Sequence, residues 1–191
     1  MYRRKMEDDE VLELDLSNRG LTELPDLSNY THLTRLFCNN NQLTTLENVK
    51  WPPSLTHLYC VNNQLTSLDG LPPTLTSLSC SMNQLISLDA LPPSLRELSC
   101  SFNQLSLIDH LPLTLTYLYC NNNYLTSLDA LPPTLTDLDC THNQLTSLDA
   151  LPTSLTDLNC VNNPLSYPFH PITLEAIRDY NTNRANLYLL K

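Results

Sequence analysis

Cysteine stands at positions 60, 80, 100, 120, 140 and 160 of this 191-residue chain, and Cys38 lies 22 residues ahead of the first. The cysteines mark a longer register. Aligned on them, each unit reads LxxLxCxxNxLxxLDxLPxx. One leucine column runs through Leu33, Leu55, Leu75, Leu95, Leu115, Leu135 and Leu155, and a second through Leu36, Leu58, Leu78, Leu98, Leu118, Leu138 and Leu158. Asparagines fill 41, 63, 83, 103, 123, 143 and 163. A unit of about twenty residues cannot bury its own apolar face, so the units must stack and share one continuous core. No other feature of the chain restricts its fold as strongly.

The unit itself can be read locally. The central xLxCx alternates with period two, which predicts a short strand with Leu and Cys turned inward. Successive strands pair in parallel, about 4.8 Å apart, so eight of them span about 34 Å. The LPP segment runs extended on the opposite side, because proline fixes φ and biases the residue before it away from helix. No unit has room for a convex helix. The expected architecture is a gently curved horseshoe. It has a parallel concave β-sheet of about eight strands and an extended, irregular convex side. The repeats cover residues 11–166, after a leader at 1–10 read as flexible. One unit, around "ENVKWPPSL", is longer, and Trp51 stands where Leu71 stands later. Residues 167–191 read as a helical cap over the last strand. Thr173 suits an N-cap, Glu175 the first turn, and Ile172 with Ile177 a hydrophobic staple.

A thiol every twenty residues invites a chemical explanation. Disulfides fit poorly, because side chains in a parallel column point the same way and do not close on one another. Zinc requires converging ligands, and a nucleophile requires exposure and a lowered pKa. The favoured reading is a column of small buried hydrophobes. The asparagine column reads as buried amides that satisfy the backbone of the turn leaving each strand. Asp69, Asp89, Asp109, Asp129 and Asp149 form a third column. These aspartates suit Asx-type turns, with calcium as the alternative.

Composition removes several function classes. The formal net charge is −10, which disfavours nucleic acid and an anionic membrane surface as partners. The chain has two glycines and neither phosphate-cradling motif. Its five histidines form no spaced set, and no nucleophile–base pair is visible. The expectation is a non-enzymatic protein with no cofactor and no metal. The start "MYRRKMEDDEVLELDLSN" lacks the apolar stretch of a secretory signal, so the cysteines are expected as free thiols in a reducing compartment.

The unit LPPTLTDLDCTHNQLTSLDALPTSL, from Leu131 onward, resembles bacterial-type leucine-rich repeats. This is the short LPxxL class found in effectors that bacterial pathogens inject into host cells. Similar cysteine-bearing units occur in some intracellular bacteria and large DNA viruses. The resemblance implies a protein-binding module, delivered by a non-classical bacterial route into the host cytoplasm. The alternatives are an intracellular scaffold in the bacterial cytoplasm or a self-assembling protein. Some family members carry a cysteine-dependent ubiquitin-ligase domain after the repeats. That activity is not carried over, since the residues after Leu165 contain no cysteine.

Solenoids bind through the outward strand positions of the concave face. Here those positions vary while the framework does not. An amino-terminal zone holds Arg35, Phe37, His57 and Tyr59. The middle is serine-rich. A carboxy-terminal zone holds Tyr117, Tyr119, Asp137, Asp139 and Asp157. Exposed aromatics serve as anchors and the acids select a basic partner. The expected species is a monomer that binds a protein with a basic surface.

Overall fold

The computed structural model describes residues 11–189. The leader at 1–10 lies outside the described residues. Eight three-residue strands form one sheet: β1 Glu13–Asp15, β2 Arg35–Phe37, β3 His57–Tyr59, β4 Ser77–Ser79, β5 Glu97–Ser99, β6 Tyr117–Tyr119, β7 Asp137–Asp139 and β8 Asp157–Asn159. They are ordered in sequence and every pairing is parallel. The register places like positions side by side, with Leu58 against Leu78 and Leu78 against Leu98. This is the solenoid that the repeat demanded.

The core is one stack. Leu33, Leu36, Leu55, Leu58, Leu75, Leu95 and Leu118 have no exposed surface. All seven cysteines are buried free thiols. Each strand is short, yet the parallel ladder continues past it. The Cys60 amide donates to the Ser79 carbonyl at 2.8 Å, and the Met82 amide to the Ser101 carbonyl at 2.9 Å. The chain then leaves the sheet through a left-handed residue. Asn18, Asn40, Asn62, Met82, Phe102, Asn122, His142 and Asn162 all have φ between 53 and 60°.

The asparagine column secures that exit. Asn103 Nδ2 donates to the carbonyls of Cys80 (3.2 Å), Cys100 (2.9 Å) and Ser101 (3.2 Å), and its Oδ1 accepts the Leu85 amide at 3.0 Å. Each amide thus bonds its own turn and the preceding unit. At the start of the column, Arg19 stands where an asparagine is due, and Asn41 Oδ1 accepts the amides of Arg19 and Leu21.

A threonine column, unread in the sequence, repeats the device on the other side of the strand. The hydroxyls of Thr56, Thr76, Thr136 and Thr156 donate to the carbonyls of Thr34, Thr56, Thr116 and Thr136. Arg96 interrupts it.

The carboxy-terminal end is covered by α1, Leu174–Leu189. Thr173 caps it: its hydroxyl accepts the Ala176 amide at 3.2 Å and its carbonyl the Ile177 amide at 3.0 Å. Ile177 is fully buried, and Ile172, Leu174 and Tyr180 pack on the same core. Arg178 fixes the helix by donating to the carbonyls of Pro152 (2.8 Å) and Leu155 (2.9 Å). The aspartate column behaves differently from the turn expected of it. Asp69, Asp89, Asp109 and Asp129 are exposed and, among the described residues, accept no backbone amide. A separate bend follows in LPxxL, where the Leu75 amide donates to the Pro72 carbonyl at 3.3 Å.

Candidate functional site

The concave face is built from the first and third residues of each strand, since the second points into the core. Pairing register therefore decides which side chains meet. Three regions result, and each has its own chemistry.

On β2 and β3 the rings of Phe37 and Tyr59 lie parallel, with centroids 4.6 Å apart and planes 6° from each other. Arg35 forms an ion pair with Glu13 of β1, so its charge is partly compensated. His57 Nδ1 meets the Thr56 hydroxyl at 2.8 Å. The four residues expected in the amino-terminal zone do come together: Arg35 pairs with His57 and Phe37 with Tyr59.

The serine-rich middle is a hydrogen-bonded floor. Ser81 and Ser99 hydroxyls meet at 2.8 Å, and the Ser101 amide donates to Ser81 Oγ at 3.1 Å. Ser77 donates to Glu97 Oε2 at 3.0 Å. These hydroxyls are consumed within the protein. The sequence showed them only as small residues.

On β6 to β8, Tyr117 stands beside Asp137 and Asp137 beside Asp157, while Tyr119 stands beside Asp139. The two tyrosines are 39% and 43% exposed. Local bonds orient the carboxylates: Asp137 Oδ2 accepts from the Thr136 hydroxyl at 2.6 Å, Asp157 Oδ2 from the Thr156 hydroxyl at 3.2 Å, and Asp139 Oδ1 from the Thr141 amide at 3.0 Å. Tyr119, Asp137, Asp139, Asp157 and Asn159 line an open cleft of about 290 Å³. The ion pairs of the described residues lie elsewhere, at Arg35–Glu13, Lys50–Asp26 and Arg184–Asp149. The cleft can accept positive charge and offers an aromatic face beside it.

The thiols have no comparable opening. Burial pushes Cys38 and Cys100 up to about 12 and raises Cys60, Cys80 and Cys120 well above the ordinary value. A raised thiol is a poor nucleophile at neutral pH. Among the described residues, no group of three or more His, Cys, Asp or Glu side chains is placed to hold a metal ion. Nor is any helix among them long and apolar enough to cross a membrane.

The leucine-rich repeat family matches in two copies, at residues 10–51 and 53–93. No curated protein matches the sequence. Solved structures do. The leucine-rich repeat domain of a Shigella effector superposes with a TM-score of 0.71 at 29% identity, covering 93% of this chain and 77% of that one. YopM, a leucine-rich effector from Yersinia pestis, gives 0.75 at 38% identity over 87% of this chain and 47% of its own. The functional domain of InlJ from Listeria monocytogenes, which includes a cysteine ladder, gives 0.70 at 34% identity over 88% and 37%. The chain thus spans under half of YopM and of InlJ. It has their repeat fold and resembles the repeat domains of bacterial effectors.

Proposed function

We propose that this chain, a bacterial-type leucine-rich repeat protein, is a non-enzymatic interaction module that binds a cationic protein segment on the carboxy-terminal part of its concave face. The observation that carries this reading is the open cleft lined by Tyr119, Asp137, Asp139 and Asp157, with Tyr117 in register beside Asp137. Register sets Asp137 beside Asp157 at the strand spacing of about 4.8 Å, with Asp139 two residues along the same face. A basic segment relieves their mutual repulsion, and the tyrosines supply contact area at low entropic cost. The Phe37–Tyr59 stack with Arg35 and His57 is a secondary contact zone on the same face. Nucleic acid is disfavoured by the charge of −10.

The likeness to Shigella and Yersinia effectors supports a role as an effector acting on a host protein. The second reading is a scaffold inside the bacterium. Affinity capture from eukaryotic and from bacterial lysate, with wild type beside Tyr119→Ala and Asp137→Lys/Asp139→Lys, distinguishes the two. A captured host protein should associate about tenfold more slowly with the charge-reversed variant, and wild-type association should weaken as salt rises. A partner indifferent to both changes would place the site elsewhere.

A further inference from the structure

A second surface stands out by breaking the framework. Every unit leaves the sheet through a left-handed residue, and at six of the eight positions it is asparagine or histidine. Short polar side chains tolerate that conformation; long apolar ones give up the local hydrogen bonding that makes it acceptable. Met82 (φ 56°) and Phe102 (φ 54°) are the exceptions, and they are neighbours. Burial does not compensate, because they are 50% and 53% exposed. Strained, exposed and apolar residues in adjacent units point to use rather than to stability.

Their surroundings are of the same kind. Residues 82, 84 and 86 are exposed and alternate with buried Asn83 and Leu85, so they share one lateral face. Ile86, where other units have Thr or Ser, is 66% exposed, and Tyr124, in a column of glutamines, is 55% exposed. The columns starting at Asn40, Gln42 and Thr44 contain no Asp, Glu, Lys or Arg in any unit. A chain of net charge −10 thus carries a long uncharged flank. A basic partner finds nothing to pair with there, whereas two like-charged copies can meet along it without opposing carboxylates. Position in the solenoid argues the same way. The described sheet has eight strands, and its middle falls between β4 and β5. Met82 follows β4 and Phe102 follows β5.

We propose that this flank is a self-association interface: two copies lie antiparallel, related by a two-fold axis at the middle of the described sheet, with Met82 of one against the partner's Phe102 and the reverse. A two-fold between these units overlaps the eight described units of both copies and closes the assembly at two. The same apolar pair at one end would leave most of the flank unmatched. The face is about 34 Å long by about 13 Å wide, from the strand spacing and the extended rise of its residues. That is about 440 Å² per copy, below the range of stable specific interfaces, and corresponds to a weak dimer. Under this proposal the chain is a monomer only when dilute and enters a concentration-dependent equilibrium. The concave face remains open in this arrangement, so the dimer and the cationic-segment site are independent.

Sedimentation equilibrium of the purified chain tests this. The mass should rise from 21.7 kDa toward twice that value between about 1 and about 100 μM, the range of a micromolar complex. Met82→Asn/Phe102→Asn restores the column consensus. It should remain monomeric at the highest concentration and melt no lower than wild type, which separates lost association from lost folding. Asp137→Lys/Asp139→Lys should dimerise as wild type does. An equimolar mixture of Met82→Cys and Phe102→Cys chains should form an oxidised cross-linked pair that neither forms alone. A wild type that stays at one chain's mass, a double variant that still associates, or a mixture that does not cross-link would each overturn the proposal.

Discussion

At the scale of the residue, the cysteine column shows how a chemically reactive group becomes structural filler. Each thiol sits where the strand turns into the core, and several donate weakly to the next unit's carbonyl, as Cys60 does to Ser79 at 3.4 Å. Parallel stacking keeps the side chains pointing alike, which rules out bridging. The burial has a thermodynamic consequence. Cys38 and Cys100, ordinarily at 9.0, are pushed to about 12 by desolvation. Between about pH 9 and about pH 12 the unfolded chain loses thiol protons that the native protein retains. Stability is therefore whole below about pH 9 and declines as pH rises through that window, by up to about 1.4 kcal/mol per pH unit for each such thiol. Urea midpoints measured across this range should fall, and a thiol reagent should label native protein only as fast as it unfolds. Rapid labelling of several cysteines in folded protein at neutral pH would refute the buried column. The alternation LxCx already announced this placement. The aspartates of the LDxLP turn did not announce theirs, because Asp favours both turns and plain solvent and only the surrounding backbone decides.

At the scale of the element, the strands are too short to persist alone, and what holds them is the exit turn and its ladders. The insertion in the 22-residue unit shows how closely those turns are fitted. Gly70 has φ 83°, and a Cβ there would lie 2.6 Å from the Glu47 Cα and 2.8 Å from the carbonyl oxygens of Leu46 and Glu47. The longer unit also reaches Gly70 through Trp51, whose indole donates to the Gly70 carbonyl at 2.6 Å. Gly70→Ala must displace backbone and accept a left-handed conformation, so it should cost about 2 kcal/mol or more. At Gly20 the nearest atom to an added Cβ is the Gln42 side chain at 3.9 Å, and Gly20→Ala should cost only the conformational strain, about 1 kcal/mol. Denaturant unfolding of the two variants should separate them in that order; equal effects would show that the close approach is readily relaxed. The capping of α1 by Thr173 was legible from residue order alone, because caps are local. The close approach at Gly70 was not, since Glu47 and Gly70 meet only once the coil has closed.

For the whole molecule, the strands of the described sheet pair in sequence order, so the solenoid behaves as a one-dimensional stack. Removing one complete unit, residues 81–100, joins Cys80 to Ser101 in register. The shortened chain should fold to seven strands, with a lower midpoint but a cooperative transition. Removing residues 81–99 instead leaves an extra cysteine between Cys80 and Ser101, where the strand passes into its left-handed exit, and should lower the midpoint further than the in-register deletion does. Circular dichroism with thermal unfolding reads both. If the in-register deletion fails to fold, distant units are coupled more strongly than nearest-neighbour contacts allow.

The sequence by itself determined the solenoid, the number of units, the inward leucine and cysteine columns, the buried asparagines and the helical cap. Each is either periodic or local, and periodicity and local bonding are properties of residue order. It also listed the residues of both concave zones, because outward positions follow from the alternation that places leucine inward. Tertiary structure decided how those residues meet. Strand register set Tyr117 beside Asp137 and stacked Phe37 on Tyr59. Coil closure turned the serines into a floor of mutual hydrogen bonds. The left-handed exit made Met82 and Phe102 exceptional, because a methionine or phenylalanine carries no mark of strain until its backbone conformation and exposure are known.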